Sequence, residues 1–323
     1  MTGFLPFDKL TVLSLPKDFR SEKIKKRLEA RFPELTIHAA DSEAEIGDFI
    51  EKTDILLTIR IPDDFIKKAT NLKWIQSLIT GVDFIINLPS LRKEVLVTST
   101  RGIHGPQMSE MAFLFMLALS RDFLRTLQNQ KQKTWERWPA RLLYKKKVGI
   151  LGVGVIGKEL AGKCKAFGMT VYGITRTKRE IESVDYAFGP DGLLEVMREV
   201  DFFVNVAPST PETLKMVGAE ALSAMKPTAF FINIGRGDTV DEEALIKLLK
   251  AKKIAGAGLD AFSMEPLPEE SPLWDMENVI VTPHNGGMSD IYLDQALPIF
   301  EENMRRFLQG ERRDLINYID WQK

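Results

Sequence analysis

Three polar side chains follow short apolar segments in the second half of the chain. Arg236 lies between two glycines, Glu265 precedes a proline, and His284 follows a proline. Because ligands of open α/β sheets bind where strands end, we expect the three to share one edge of a sheet. A guanidinium can hold a carboxylate and a carbonyl oxygen, and an imidazolium can donate a proton as hydride arrives. A nearby carboxylate would favour the charged imidazole. The three side chains are therefore the minimum set of groups that the reduction of a 2-oxo acid requires.

Each of these residues also has a structural interpretation. Arg236 could be a surface turn residue, although the flanking glycines favour close approach of the backbone to a ligand. Glu265 could cap a loop, and His284 could be a structural loop histidine. Of the other two histidines, His38 lies in a peripheral strand and is assigned no role. His104 is a candidate for contact with substrate or cofactor.

A glycine turn in the middle of the chain points to a nucleotide. Residues 152–157 read GVGVIG, between an expected strand over 147–151 and an expected helix over 158–167. The first glycine would make the tight turn, the second would let amides approach a pyrophosphate, and the third would let the helix lie close to the strand. The predicted cofactor contacts here are Gly152, Gly154, Val155, Ile156 and Gly157. GxGxxG alone is weak evidence, but its strand and helix context predicts a dinucleotide-binding βαβ unit.

The end of the next strand favours a cofactor that carries an extra phosphate. About 20 residues after the glycines, NAD-specific sites place an acidic residue on the ribose hydroxyls. This chain has Thr175, Arg176 and Thr177 there, followed by Lys178 and Arg179. A hydroxyl and a guanidinium can bind a 2′-phosphate, which a carboxylate would repel. NADP(H) is therefore favoured and NAD(H) stays possible. The alternative is that this segment is only a solvated basic turn.

Composition limits the class of protein. The 323 residues are 44% hydrophobic and 28% charged, which is enough for two globular domains, and the net charge of −1 favours neither nucleic acid nor an anionic membrane as partner. The single cysteine, Cys164, is expected in the core, and neither disulfides nor a metal site are expected. With no apolar run of 18 residues and no leader over Met1–Leu15, the chain is expected in the cytoplasm.

Alternation of strands and helices predicts an α/β fold along the whole chain. The expected strands cover residues 11–15, 35–39, 54–58, 74–78, 95–97, 147–151, 169–174, 201–206, 229–234, 254–259 and 279–282. The expected helices cover residues 21–31, 42–52, 109–121, 158–167, 241–251 and 291–309. Ser109 is the expected N-cap of the third helix, with Glu110 in its first turn. The last helix is expected to pack back on the N-terminal layer.

Four ordered motifs resemble the D-isomer-specific 2-hydroxyacid dehydrogenase family, over about Leu78–Phe307. They are GVGVIG at 152–157, NIGRGDTVDEEAL at 233–245, GLDAFSMEPLPEESPLW at 258–274 and NVIVTPHNGG at 278–287. The resemblance implies that Arg236 binds the carboxylate and the carbonyl of the substrate. It also implies that Glu265 pairs with His284, and that His284 is the general acid and base.

The resemblance implies further contacts. The substrate contacts would be Thr80, Gly81, Arg236 and His284, and the additional cofactor contacts Ala207, Pro208, Thr213, Ile234, Gly235, Arg236, Asp260, His284 and Gly286. Backbone amides of Thr80 and Gly81 would receive the substrate carboxylate, and Asp260 would lie near the nicotinamide carboxamide. Ile234 replaces a small residue of many relatives, which would narrow the cofactor channel. The absence of an acid at Thr175 is similar to the glyoxylate/hydroxypyruvate reductase branch.

The implied fold has two doubly wound α/β domains. A Rossmann cofactor domain over residues 104–287 would be inserted into a flavodoxin-like substrate domain over residues 1–103 and 288–323. The implied activity is NADPH-dependent reduction of a small 2-oxo acid, such as glyoxylate or hydroxypyruvate, to the D-2-hydroxy acid.

The resemblance also implies a homodimer. The interface would contain the helix near Glu110–Arg121 together with Trp135 and Trp138, although the two tryptophans could equally belong to a core. The alternative function is that of an NAD(P)-sensing, corepressor-like binding protein, which would use the same architecture without turnover. Loss of turnover on replacing His284 distinguishes the enzyme from this alternative.

Overall fold

The chain folds into two compact units, each built on a parallel sheet. The computed structural model describes residues 9–13, 21–312 and 314–321. The first unit combines the chain up to Ile103 with the chain from Asp290, and the second unit is the segment between them. The second unit thus extends two residues beyond the expected division at 287.

The first unit contains a five-stranded sheet. Its strands are β1 (Lys9–Leu13), β2 (Thr36–Ala40), β3 (Ile55–Thr58), β4 (Trp74–Ser77) and β5 (Leu96–Thr98). Its helices, numbered along the whole chain, are α1 (Ser21–Arg31), α2 (Glu43–Ile46), α3 (Asp63–Lys68), α4 (Asp83–Ile86) and α11 (Tyr292–Leu308). The strand order is β2-β1-β3-β4-β5 with every described pairing parallel, which is the flavodoxin-like order. β3 and β4 are buried along their whole length, as central strands covered on both faces must be.

The C-terminal helix α11 belongs to this first unit. Its Phe300 and Phe307 rings stack on Trp74 of β4, at centroid distances of 5.4 and 5.2 Å. The Tyr292 hydroxyl donates to the carbonyl of Leu78 at 2.6 Å. The apolar face of the helix is thus buried against the sheet, and the expectation that this helix returns to the N-terminal layer is confirmed.

The second unit contains a seven-stranded sheet. Its strands are β6 (Lys147–Leu151), β7 (Thr170–Ile174), β8 (Tyr186–Phe188), β9 (Phe202–Asn205), β10 (Phe230–Asn233), β11 (Gly256–Leu259) and β12 (Val279–Val281). Its helices are α5 (Gly105–Ser120), α6 (Phe123–Gln132), α7 (Val155–Ala166), α8 (Leu193–Glu199), α9 (Ala219–Ser223) and α10 (Glu242–Lys250). The order β12-β11-β10-β9-β6-β7-β8 is all parallel in the described pairings, so the carboxyl ends of the strands lie at one edge. The order reverses between β6 and β9, where doubly wound folds bind ligands. The predicted α/β class with a Rossmann domain is confirmed.

Two expected helices differ from the structure. The helix expected to begin at Ser109 begins four residues earlier, at Gly105, because Pro106 fits the first turn, where it sacrifices no hydrogen bond. Ser109 is therefore not an N-cap: its hydroxyl donates to the carbonyl of Pro106 at 2.7 Å. In place of the helix expected over 42–52, the α-helix ends at Ile46 and a 3₁₀ helix follows over Gly47–Lys52. The α-helix ends there because Gly47 adopts a φ of +48°.

The remaining elements agree with the expected ones within a few residues. The helix expected from Lys158 begins at Val155, directly after the glycine turn. For the strand expected over 11–15, β1 ends at Leu13, and Ser14 and Leu15 lie outside the described residues. The elements α3, α4, α8, α9 and β8 were not expected, because they are too short to show a clear period. The helix α6 was not expected either.

Two physical properties of the described residues bear on the class of protein. Cys164 is buried in α7, and burial raises the pKa of its thiol to about 12, so it behaves as a small core residue. Of the helices that the structure describes, none is long and apolar enough to span a membrane.

Candidate active site

The glycine turn between β6 and α7 has the backbone that its sequence predicts. Gly152 has a φ of +98°, and a Cβ there would lie 3.0 Å from the amide nitrogen of Ala207. A Cβ at Gly157 would lie 2.5 Å from the carbonyl oxygen of Gly152, so only glycine lets the helix start this close to the strand. A Cβ at Gly154, by contrast, would meet no described atom within 4 Å. The turn thus leaves open space at the N-terminus of a helix, which fits the pyrophosphate of a dinucleotide.

The fourth and fifth residues of the GVGVIG segment begin helix α7. Val155 is about half exposed and Ile156 is partly buried. Their amides belong to the first turn of the helix, where amides have no partner within the helix and can donate to an anion.

The basic turn after β7 is exposed. Thr175 is held by two bonds: its amide donates to the Phe188 carbonyl at 3.1 Å, and its hydroxyl donates to the Thr177 carbonyl at 2.8 Å. The side chains from Arg176 to Arg179 are exposed to solvent. The Thr210 hydroxyl and, to a smaller extent, the charge of Arg176 lower the pKa of Glu212, so Arg176 lies near the loop after β9. This arrangement agrees with both a phosphate contact and a solvated turn.

The loop after β9 is organised by its own hydroxyl groups. The Thr213 hydroxyl donates to the Pro208 carbonyl at 2.7 Å and accepts from the Thr210 amide at 2.8 Å. Ala207 in this loop and Ile234 after β10 are both buried, each with 3% exposed. Thr213 therefore stabilises the conformation of the loop that is expected to contact the cofactor.

Arg236 extends from an irregular segment after β10. A Cβ at Gly235 would lie 2.8 Å from the Ala207 carbonyl oxygen, and one at Gly237 would lie 1.9 Å from the backbone of Phe262. Glycine is required on both sides because the main chain passes between two neighbouring loops. The Arg236 side chain is partly buried, and its Nη1 donates to the Gly235 carbonyl at 2.9 Å.

His284 and Glu265 form a hydrogen-bonded pair. Nδ1 of His284 lies 2.8 and 2.9 Å from the two carboxylate oxygens of Glu265. Glu265 also accepts from the Phe262 amide at 3.0 Å. Partial burial would raise the pKa of Glu265, but the bonds from His284 and the Phe262 amide and the charge of Arg236 outweigh it, and the pKa is lowered. The carboxylate is thus ionised at neutral pH and faces one ring nitrogen of His284.

The backbone at His284 is unusual, and Asp260 fixes it. His284 has a φ of +51°, in the left-handed region. Asp260, which is buried at the end of β11, accepts from the Thr282 hydroxyl at 2.6 Å and from the amides of Asn285 and Gly286 at 3.0 and 2.9 Å. Burial raises the pKa of Asp260, and these three bonds oppose the increase. Asp260 therefore anchors the loop on both sides of His284, a role that sequence reasoning missed.

His104 occupies a different environment in the same unit. It precedes α5 and is 9% exposed, and a Cβ at Gly287 would lie 3.2 Å from its Cδ2 atom. Burial and the charge of Arg236 lower the pKa of His104 to about 4. The neutral form of His104 is therefore favoured at pH 7.

The expected substrate loop lies in the first unit, between β4 and α4. The Ser77 hydroxyl donates to the Ile79 carbonyl at 3.0 Å and shapes the bend that follows β4. Thr80 is exposed and Gly81 is partly buried. Their role in binding a substrate carboxylate stays a prediction. Among the residues that the structure describes, no group of three or more His, Cys, Asp or Glu side chains could hold a metal ion.

Comparison with known proteins identifies the family. Residues 113–286 match the model of the D-isomer specific 2-hydroxyacid dehydrogenase, NAD binding domain. A glyoxylate reductase from Pyrococcus furiosus is 32% identical over 81% of this chain and 81% of its own length. The chain therefore belongs to the D-isomer specific 2-hydroxyacid dehydrogenase family, a family of NAD(P)-dependent oxidoreductases.

Two solved structures agree with this assignment over nearly the whole chain. A D-isomer specific 2-hydroxyacid dehydrogenase family protein from Aeromonas salmonicida has a TM-score of 0.88 and 34% identity, covering 98% of this chain and 99% of its own. An NADPH-dependent glyoxylate/hydroxypyruvate reductase from Sinorhizobium meliloti, in complex with NADP and sulfate, has a TM-score of 0.84 and 28% identity, with the same two coverages.

Proposed function

We propose that this protein reduces a small 2-oxo acid of the glyoxylate and hydroxypyruvate class to the D-2-hydroxy acid, with NADPH as the favoured reductant. The observation that carries the proposal is the hydrogen-bonded pair of His284 and Glu265. The charge of Arg236 also contributes to lowering the pKa of Glu265. The activities named for the Pyrococcus and Sinorhizobium relatives support the substrate class.

The three side chains divide the work on the substrate. The Arg236 guanidinium holds the carboxylate and the carbonyl oxygen, for which its planar pair of donors is suited. His284 donates a proton from Nε2 to the carbonyl oxygen, because its Nδ1 faces Glu265. The Glu265 carboxylate keeps the ring in one orientation and stabilises the positive charge of the protonated ring. A bound nicotinamide cofactor supplies the hydride.

The residues around the glycine turn would hold the cofactor. The amides at the start of α7 bind the pyrophosphate, and the open space at Gly154 admits it. The loop with Ala207, Pro208 and Thr213 lies on the other side of the point where the strand order reverses, which supports a contact with the adenosine. The remaining expected contacts, Ile234, Gly235, Asp260 and Gly286, follow β10, β11 and β12 at the same edge.

The turn at Thr175–Arg179 would select the phosphate-bearing cofactor. It follows β7 directly and contains no acid before Glu180. Arg176 is exposed and close enough to affect the ionisation of Glu212, so its guanidinium is available to a 2′-phosphate. The substrate loop at Thr80 and Gly81 would supply backbone amides to the carboxylate of the oxo acid.

We further propose that the protein is a homodimer through the face formed by α5, α6 and the segment after them. Several large apolar side chains there are exposed in the single chain: Leu114, Leu117, Phe123, Leu127 and Trp135, the last of which is 94% exposed. Large apolar side chains that are exposed on consecutive elements favour an interface at this face. Sedimentation of the purified protein tests it, and a monomer at micromolar concentration would contradict it.

Turnover with a set of 2-oxo acids tests the proposed activity. Glyoxylate, hydroxypyruvate, pyruvate and a bulkier 2-oxo acid are each offered with NADPH and with NADH, and chiral chromatography of the product determines its hand. We expect the smaller acids to be reduced to D-products. If the chain binds NADPH but reduces none of these acids, the proposed function is wrong and the sensing role becomes the better explanation.

A further inference from the structure

Three buried polar side chains lie beneath the loops that carry Ala207 and Arg236. Asn205 ends β9, Asn233 ends β10, and Thr239 closes the 3₁₀ turn after Arg236. Their exposed fractions are 0, 2 and 0%. Buried polar groups are costly unless they are bonded, so three of them together in the core require an explanation. We call them the amide–hydroxyl cluster.

The three side chains are bonded to one another. Nδ2 of Asn205 donates to Oδ1 of Asn233 at 3.0 Å and to the Thr239 hydroxyl at 2.7 Å. Oδ1 of Asn205 accepts from the amide of Ala207 at 3.1 Å. Asn205 therefore links the β9 loop to both residues of the β10 segment.

The other bonds of the cluster converge on Arg236. Oδ1 of Asn233 accepts from the Gly235 amide at 3.1 Å, and its Nδ2 donates to the carbonyls of Arg236 and Ala261, each at 3.2 Å. The Thr239 hydroxyl donates to the same Arg236 carbonyl at 2.6 Å. The main chain is thus held on both sides of the Arg236 side chain, at the Gly235 amide and at the Arg236 carbonyl.

The hydrogen bonds of the strand ladder do not hold the main chain on both sides of the Arg236 side chain. Asn205 and Asn233 are partners in the last pair of the β9–β10 ladder. The Ile234 amide still donates to the Asn205 carbonyl at 3.1 Å, and after it the main chain of the β10 segment is bonded to the asparagine side chains instead. Four main-chain groups after the strand ends, at Ala207, Gly235, Arg236 and Ala261, are satisfied by two asparagine side chains. An apolar core would be sufficient for the sheet itself, and the polar cluster lies only where the loops leave it.

We propose that Asn205, Asn233 and Thr239 are positioning residues that fix the peptide of Arg236 against the Ala207 loop, so that the guanidinium is held ready for the oxo acid. The proposal rests on the proposed function in assigning the substrate to Arg236. Its basis is that a misplacement of about 1 Å can reduce the rate about 100-fold without removing any reacting group.

Substitutions at Thr239 test the proposal. Thr239→Val keeps the shape and removes the bond to the Arg236 carbonyl, whereas Thr239→Ser keeps the hydroxyl. The matched control is Thr53→Val, because Thr53 is also fully buried and its hydroxyl donates to a carbonyl, that of Phe49, at 3.0 Å. We expect Thr239→Val to lower kcat/KM for the oxo acid about tenfold, mainly through KM, with the Kd of NADPH changed less than about threefold. Thr239→Ser and Thr53→Val should stay near wild type.

A second measurement does not depend on turnover. Hydrogen exchange of the peptide covering residues 233–239 should be faster in Thr239→Val than in wild type, Thr239→Ser or Thr53→Val. If the wild type reduces no oxo acid, the proposed function fails, and the exchange rates alone decide the role of the cluster. Equal exchange in Thr239→Val and wild type would overturn the proposal, and so would a kcat/KM that falls equally in Thr239→Val and Thr53→Val.

Discussion

The carboxyl edge of the seven-stranded sheet has two halves that are built differently. After β10, β11 and β12, hydrogen bonds hold the chain around each polar side chain: the amide–hydroxyl cluster holds Arg236, and Asp260 holds the loop of His284. After β7, the turn from Arg176 to Arg179 is exposed. One half of the edge is preorganised, and the other presents side chains to solvent.

The difference matches what each half is proposed to do. Proton donation needs heavy atoms placed within a few tenths of an ångström, and preorganised groups stabilise a transition state without reorganising. Attraction of a phosphate needs only charge within reach, and exposed arginines provide it. Substitutions in the preorganised half should therefore act on the binding and reduction of the oxo acid, and those in the exposed half on the choice of cofactor.

The largest effect is expected at His284. His284→Ala should lower kcat about 100-fold or more, since general acid catalysis commonly contributes about 10²–10⁴, while NADPH still binds. His284→Asn should behave alike, and because asparagine tolerates a positive φ, it separates loss of the imidazole from backbone strain. Steady-state kinetics and cofactor titration measure both quantities.

The control for this variant is His38→Asn, which changes a histidine of the first unit. His38 is bonded to the Glu45 carbonyl and stacked on Phe49. Its replacement should leave kcat unchanged. Normal turnover in a folded His284→Asn protein would remove His284 from the mechanism.

A smaller effect is expected from Arg236→Lys. An ammonium cannot reproduce a two-pronged guanidinium contact, and loss of one charge-assisted bond of about 1.5–3 kcal/mol should lower kcat/KM roughly 10- to 100-fold. Arg92→Lys is the matched control, because the Arg92 guanidinium of the first unit donates to the Ala69 and Leu72 carbonyls and to the Glu94 carboxylate. A kcat/KM for Arg236→Lys that equals that of the control would place Arg236 outside the site.

In the exposed half, Arg176→Ala should raise KM for NADPH about tenfold, because one charge-assisted bond to the phosphate is lost. NADH kinetics should hardly change, and added salt should weaken NADPH binding more than NADH binding. Arg198→Ala, which changes an exposed arginine of α8 outside this turn, is the control. Thr175→Asp should invert the preference by placing a carboxylate against the phosphate. A wild type that prefers NADH would show that the turn is only a solvated surface.

The smallest effect comes from His104 and concerns stability. Its pKa is about 4 in the folded chain and 6.5 ordinarily, so below pH 6.5 the unfolded chain binds a proton that the folded chain does not. The free energy of unfolding therefore decreases as the pH is lowered from 6.5 to 4. At about pH 5.5 it is about 1 kcal/mol lower than at neutral pH. His104→Gln should abolish this part of the decrease. Urea unfolding of both proteins at about pH 7.5 and 5.5 tests the prediction, and equal decreases would contradict it.

Most of the fold could be predicted from the sequence, because the patterns that indicate strands, helices and turns are local. The glycine turn, the strand before it and the helix after it lie within about 20 consecutive residues, and the alternation of strands and helices predicted both sheets. The helix start at Ser109 was wrong because Pro106 was interpreted as a break, although a proline in the first turn of a helix is favourable.

The residues of the candidate site could be predicted from the sequence less completely than the fold. Arg236, Glu265 and His284 could be named from their residue types and from the ends of expected strands. Residue type could not separate the two histidines: His284 meets Glu265, 19 residues away in the chain, whereas His104 is buried beside Arg236. Their catalytic roles stay predictions.

The sequence by itself determined which short segments become strands, helices and tight turns, because periodicity and glycine act over a few residues. Only the tertiary structure decided that Asn205 bonds to Thr239, 34 residues away, and that Asp260 bonds to the loop of His284. These contacts depend on which strands become neighbours in the sheet. That order is set by the packing of the whole unit, and no local pattern in the chain encodes it.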